Sequence, residues 1–233
     1  MRLRKLATRV GASLALAAAA FAAAPFRPDR RMAALDAFAI PAATIVNPGL
    51  GRVERVDVVV RDGRVEPAES SAATTSQPLE RYRGSFVLPG LIDMHIHYWS
   101  EEPELFGLLL LAKGVTTVRD TGDTEGTIFA TRTRIEAGEL PGPRIFACGS
   151  ILDGSPPAWP GSVTADDEEA AARAVDEIAD AGGDCIKVYR KISPRVLATI
   201  HRSSRKRALP VIETVSVSLA RVQRLFGLAD RRL

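Results

Sequence analysis

Gly182-Gly183-Asp184-Cys185-Ile186-Lys187-Val188-Tyr189, residues 182–189, decides how the chain is read. Before it, from Ala165 to Ala181, acidic residues open a segment whose apolar residues recur at helical spacing, and the two glycines end it. After the glycines, Ile186 and Val188 alternate with Lys187, the period of a strand. The same alternation continues outward. Toward the C-terminus the pattern predicts a helix from Pro194 to Arg205, a strand from Pro210 to Val215 and a helical stretch from Ser218 to Phe226. Toward the N-terminus it predicts strands at Arg144 to Cys148, Val115 to Arg119 and Phe86 to His97, separated by helices at Thr127 to Gly138 and Glu104 to Lys113. Five strands, each followed by a helix, predict a parallel α/β architecture. Their continuous apolar runs imply strands covered on both faces.

Upstream of this region, Phe38 to Val87 reads as strands, and Asp62-Gly63 between two β-rich runs is a hairpin signal. A polar stretch from Glu69 to Gln77 interrupts them. The chain begins differently: Arg2, Arg4, Lys5 and Arg9 precede a small, apolar run from Val10 to Ala24. That run is short of the roughly 20 residues a membrane span needs, so residues 1–24 read as a secretory signal peptide and the mature chain as periplasmic or secreted. The same four cations account for the formal net charge of +3 over 233 residues, which removes the main support for a nucleic-acid partner. With 46% hydrophobic and 25% charged residues, the composition excludes a disordered or collagenous chain. Cys148 and Cys185 are expected in the core, near opposite ends of neighbouring strands, with Cα atoms too far apart to bridge.

The chemistry concentrates at strand ends. In Pro89-Gly90-Leu91-Ile92-Asp93-Met94-His95-Ile96-His97, residues two apart in a strand share a face, so His95 and His97 present two imidazoles suited to a divalent metal such as zinc. Two unrelated polar residues at a strand end would give the same spacing. Lys187 is predicted to face away from the helices, toward the interior of a closed parallel barrel. A buried ammonium is costly unless paired or chemically changed. It could react with CO2 to form an anionic carbamate, pair with Asp120 or Glu213, or lie at an exposed rim. Trp159, in the Pro- and Gly-rich loop after the third strand, could line a pocket or cover the rim, and Arg119 and Asp120 could orient a ligand.

These segments, together with Gly114-Val115-Thr116-Thr117-Val118-Arg119-Asp120-Thr121-Gly122 and Pro141-Gly142-Pro143-Arg144-Ile145-Phe146-Ala147, resemble the amidohydrolase superfamily, in its imidazolonepropionase-like and prolidase-like branch. The resemblance implies a (β/α)8 TIM-type barrel attached to a β-sandwich. Here that means a small β-sandwich segment at residues 35–87 and, at residues 88–233, a barrel of about five βα units, short of the ~250 residues of a complete one and so read as C-terminally truncated. It further implies one or two divalent ions, zinc foremost, held by His95, His97 and a carboxylated Lys187, and hydrolysis of a carbon–nitrogen bond in a small-molecule or peptide substrate. The resemblance places another histidine at the position of Thr214, and further ligands on strands beyond it. Glu213 alternates to the opposite face from Thr214, so it does not replace that histidine in register. The alternative reading is therefore a truncated or degenerate member without catalysis.

Overall fold

The computed structural model describes residues 37–66, 77–99, 101–123 and 126–214. The signal-peptide segment, residues 69–76 of the polar stretch and the helical stretch from Ser218 to Phe226 lie outside the described residues. The chain divides into two units, Met1–Pro89 and Gly90–Leu233.

In the first unit, β1 (Ala37–Asn47), β2 (Arg52–Arg61), β3 (Arg64–Glu66), β4 (Gln77–Pro78) and β5 (Phe86–Val87) form one sheet in the order β3-β2-β1-β4, with β5 also on β1. The hairpin between β2 and β3 turns at Asp62 and Gly63, both with positive φ (48° and 71°), the backbone a two-residue turn needs to follow the twist of its strands. Phe86 and Val87 pair with Thr44 and Ile45 of β1, so they are not the head of the first parallel strand as the sequence suggested. Pro89 and Gly90 separate the two strands. Gly90 approaches so closely that a Cβ there would lie 1.9 Å from Thr116 Oγ1.

The second unit runs β6 (Leu91–Ile96), α1 (Pro103–Ala112), β7 (Val115–Asp120), α2 (Ile128–Glu136), β8 (Arg144–Ala147), β9 (Ile151–Asp153), β10 (Val163–Thr164), α3 (Glu168–Asp180), β11 (Ile186–Val188), α4 (Pro194–Lys206) and β12 (Val211–Glu213). All strand pairs are parallel, in the orders β6-β7-β8 and β10-β9-β11-β12. Parallel strands alternating with helices make this a partial (β/α)8-type barrel. Its largest apolar cluster joins Leu152 of β9 and Ile186 and Val188 of β11 to Ala171, Val175 and Ile178 of α3 and Val196, Leu197 and Ile200 of α4. Asp167 caps α3 by accepting from the Ala170 amide at 2.7 Å, and Ser193 caps α4 ahead of Pro194. By contrast β6, which pairs only with β7 among the described residues, leaves Leu91, Ile92 and Met94 exposed instead of covered on both faces.

The cysteine expectation is overturned: Cys148 and Cys185 form a disulfide, with Cα atoms 4.4 Å apart. The reason is a jog in the third strand. β8 ends at Ala147 beside β7, and the chain re-enters a sheet only at Ile151, where β9 pairs with β11. Gly149, at φ 64°, turns the backbone between the two pieces. β11 therefore starts level with the end of β8, where the Asp184 amide donates to the Ala147 carbonyl at 2.8 Å, and the two cysteines stand side by side.

Candidate active site

His95 sits near the end of β6 and His97 just after it, with ring centroids 5.7 Å apart and planes crossed at 72°. Strand alternation brings both rings to one side. Lys187, the middle residue of β11, faces away from the cluster its neighbours Ile186 and Val188 build with α3 and α4. All three predicted metal residues line one cleft of about 440 Å³, together with Ile151, Trp159, Tyr189, Arg190, Glu213 and Thr214.

The backbone around His97 is tied down on both sides. The Thr121 amide donates to the Ile96 carbonyl at 2.9 Å, and the Tyr98 amide donates to Asp120 Oδ2 at 2.7 Å. The ring itself meets the Gly122 carbonyl through Nδ1 at 3.0 Å. A carbonyl only accepts, so Nδ1 carries a proton, and in the neutral ring the lone pair lies on Nε2. Trp159 stacks on the same ring, with centroids 5.9 Å apart and planes at 22°, so this loop residue belongs to the cleft wall.

Lys187 is 3% exposed and makes no hydrogen bond or ion pair among the described residues. Neither suggested partner reaches it. Asp120 accepts the Tyr98 and Gly122 amides, and Glu213 Oε1 meets His201 Nε2 of α4 at 2.9 Å. Desolvation, aided by the nearby Arg119 guanidinium, holds the Lys187 ammonium below its ordinary pKa. Burial, and then the charges of Lys187, His97 and Arg119, lower that of His95. Arg119 donates from Nε to the Met94 carbonyl at 2.8 Å, bridging β7 to β6. Asp120 is driven upward by burial, against the opposing pull of its two amide donors.

Asp153 was not anticipated as part of the architecture of this site. Fully buried at the end of β9, its carboxylate accepts the amides of Gly154 (3.0 Å), Ala158 (2.8 Å) and Lys191 (2.7 Å). It thereby ties the Trp159 loop to the segment that follows Tyr189 and Arg190. The only hint in the sequence is the Asp153-Gly154 pair opening a proline-rich loop.

The donor chemistry fits a divalent metal in part. Two imidazoles, one with its tautomer set by a carbonyl, face the cleft with a lysine that no described residue pairs, while no cluster of three or more His, Cys, Asp or Glu able to hold a metal occurs among the described residues. Comparison with known proteins then identifies the fold. A model of the amidohydrolase family matches residues 86–200. The chain belongs to the amidohydrolase superfamily.

Among solved amidohydrolase-like structures, a Bifidobacterium longum protein assigned as a prolidase is 27% identical, with a TM-score of 0.63 over 77% of this chain and 49% of that one. A dihydroorotase from Pelotomaculum thermopropionicum is 38% identical over 58 residues, 25% of this chain and 14% of that protein. An adenine deaminase from Lysinibacillus sphaericus is 38% identical over 66 residues, 28% of this chain and 11% of that protein. The chain thus spans about half of the solved relative and a smaller share of the other two. Within this amidohydrolase, the fifth strand departs from the family pattern: Thr214 lines the cleft where an imidazole is implied, and the Glu213 carboxylate is engaged by α4.

Proposed function

We propose that this amidohydrolase hydrolyses a carbon–nitrogen bond in an amide, dipeptide or cyclic amide, with a divalent metal at His95, His97 and Lys187, outside the cytoplasm. The observation that carries the reading is the meeting of these three side chains in one cleft at the ends of parallel strands, the side of a barrel where sites form. When bound, a metal such as zinc supplies Lewis acidity, polarising a carbonyl and acidifying water. The residues of the chain prepare for it. The Gly122 carbonyl takes the Nδ1 side of His97, so that Nε2 is the nitrogen that faces a ligand, and Trp159 shields one face of that ring. Lys187, buried without a counter-charge among the described residues, is placed to become an anionic oxygen donor through reaction of its neutral amine with CO2 and release of a proton. Arg190 and Tyr189 border the space a substrate would fill. Export is supported by the N-terminal pattern and by the disulfide, a linkage that persists in oxidising compartments.

A second reading, a family member without catalysis, is favoured by Thr214 at the expected histidine position and by the His201 hold on Glu213. Metal analysis after dialysis, with a screen of amides, dipeptides and cyclic amides, separates the two. Bound zinc with turnover abolished in His95→Ala supports the hydrolase. Zinc bound without turnover supports the second reading, and a folded protein that retains no metal overturns the metal site. N-terminal sequencing of protein recovered from an exporting host tests the location, with a mature start near Pro25 expected.

A further inference from the structure

We infer that Asp120 is the positioning residue of the site: its carboxylate clamps the two backbone segments that together fix the direction and tautomer of the His97 ring. The inference rests on the reading of His97 as a metal ligand, but its geometry stands apart from any metal.

Asp120 ends β7 and is 1% exposed, yet it forms no ion pair among the described residues. Both its oxygens are spent on backbone. Oδ2 accepts from the amide of Tyr98, the residue after His97, at 2.7 Å, and Oδ1 accepts from the amide of Gly122 at 3.0 Å. Gly122 is also the residue whose carbonyl meets His97 Nδ1 at 3.0 Å. One carboxylate therefore grips the chain next to the imidazole and the amide of the residue whose carbonyl holds its Nδ1 proton. Thr121 closes the gap: its amide and hydroxyl both donate to the Ile96 carbonyl, at 2.9 and 3.2 Å.

The fit leaves no slack at Gly122. A Cβ there would lie 2.4 Å from Ile151 Cγ1 and 3.5 Å from His97 Cε1, on a backbone at φ 157°. A side chain there would press on Ile151 and shift the residue whose carbonyl meets the ring. Charge-assisted bonds from backbone amides to a carboxylate are stronger than neutral ones, and a buried carboxylate without them would be expensive. A serine or asparagine at position 120 could cap one amide but not accept from both with this geometry. Partners that orient a ligating histidine typically carry 10–100-fold in metal affinity.

The test uses the metal-free chain labelled with 15N-histidine, whose three histidines are assigned by single substitution. Long-range 1H–15N correlation reads the His97 tautomer directly. In the wild type a single Nδ1–H form is expected; in Asp120→Asn, which has one acceptor oxygen for the two amides and an NH2 group facing the other, a mixture of tautomers with His201 unchanged is expected. Zinc affinity, measured by chelator competition, is expected to fall about 10–100-fold. Gly122→Ala, which leaves Asp120 intact but displaces the carbonyl, should scramble the tautomer as well and keeps the question open to measurement if Asp120→Asn does not fold. A single Nδ1–H tautomer retained in both variants, or in either one that folds alone, overturns the inference. So does zinc affinity within twofold of wild type in Asp120→Asn. Scrambled tautomers in a protein that binds no zinc even as wild type would uphold the clamp while overturning the metal reading on which the proposed function stands.

Discussion

Lys187 illustrates the conflict between stability and chemistry at a single position. Its aliphatic stem is covered by the sheet, its ammonium has no counter-charge among the described residues, and Arg119 adds repulsion. Removing a buried, unpaired charge relieves its desolvation. Lys187→Met is therefore expected to stabilise the metal-free protein by about 1–3 kcal/mol, as read by urea denaturation at neutral pH, while abolishing zinc retention. The pH dependence follows from the direction of the shift. With the folded-state pKa below the ordinary 10.5, the unfolded chain binds more protons between the two values, so wild-type stability rises with pH across that window. The advantage of Lys187→Met should shrink as pH approaches 10.5, and a constant advantage would show that packing, not charge, is responsible.

At the scale of elements, the loops after β9 and β11 are held by one side chain. Asp153→Ala leaves three buried or half-buried amides without their acceptor, a loss expected to cost about 3–5 kcal/mol. Faster hydrogen exchange at Ala158 and Lys191, with stacking of Trp159 on His97 lost, should accompany it; unchanged exchange at both amides would argue that the loops stand without Asp153. Helix caps behave more locally. Asp167→Ala, which removes the 2.7 Å bond to the Ala170 amide, is expected to cost about 1 kcal/mol and to leave zinc binding unchanged. Alternation and capping made α3, α4 and β11 readable within a few residues. The division of the third strand into β8 and β9 was not readable, because nothing local distinguishes a jog between two parallel partners from a strand that simply ends.

For the molecule as a whole, the disulfide ties positions 37 residues apart and joins the two sheets of the second unit. Closing a loop of that length in the unfolded chain is worth about 3–4 kcal/mol. Cys148→Ala with Cys185→Ala should lower the urea midpoint accordingly, and thiol titration of the denatured, unreduced wild type should find none. Two reactive thiols would refute the linkage. The parallel α/β architecture, the face shared by His95 and His97 and the inward direction of Lys187 were all determined by the sequence itself. Each depends on the period of a helix or a strand, which is local. The cysteine pair, the transfer of Phe86 and Val87 to β1, the carboxylate of Asp120 beneath His97 and that of Asp153 between two loops were decided only by tertiary structure. Each depends on the relative height of neighbouring strands, and that offset is set by packing between segments far apart in the chain, where no local pattern records it.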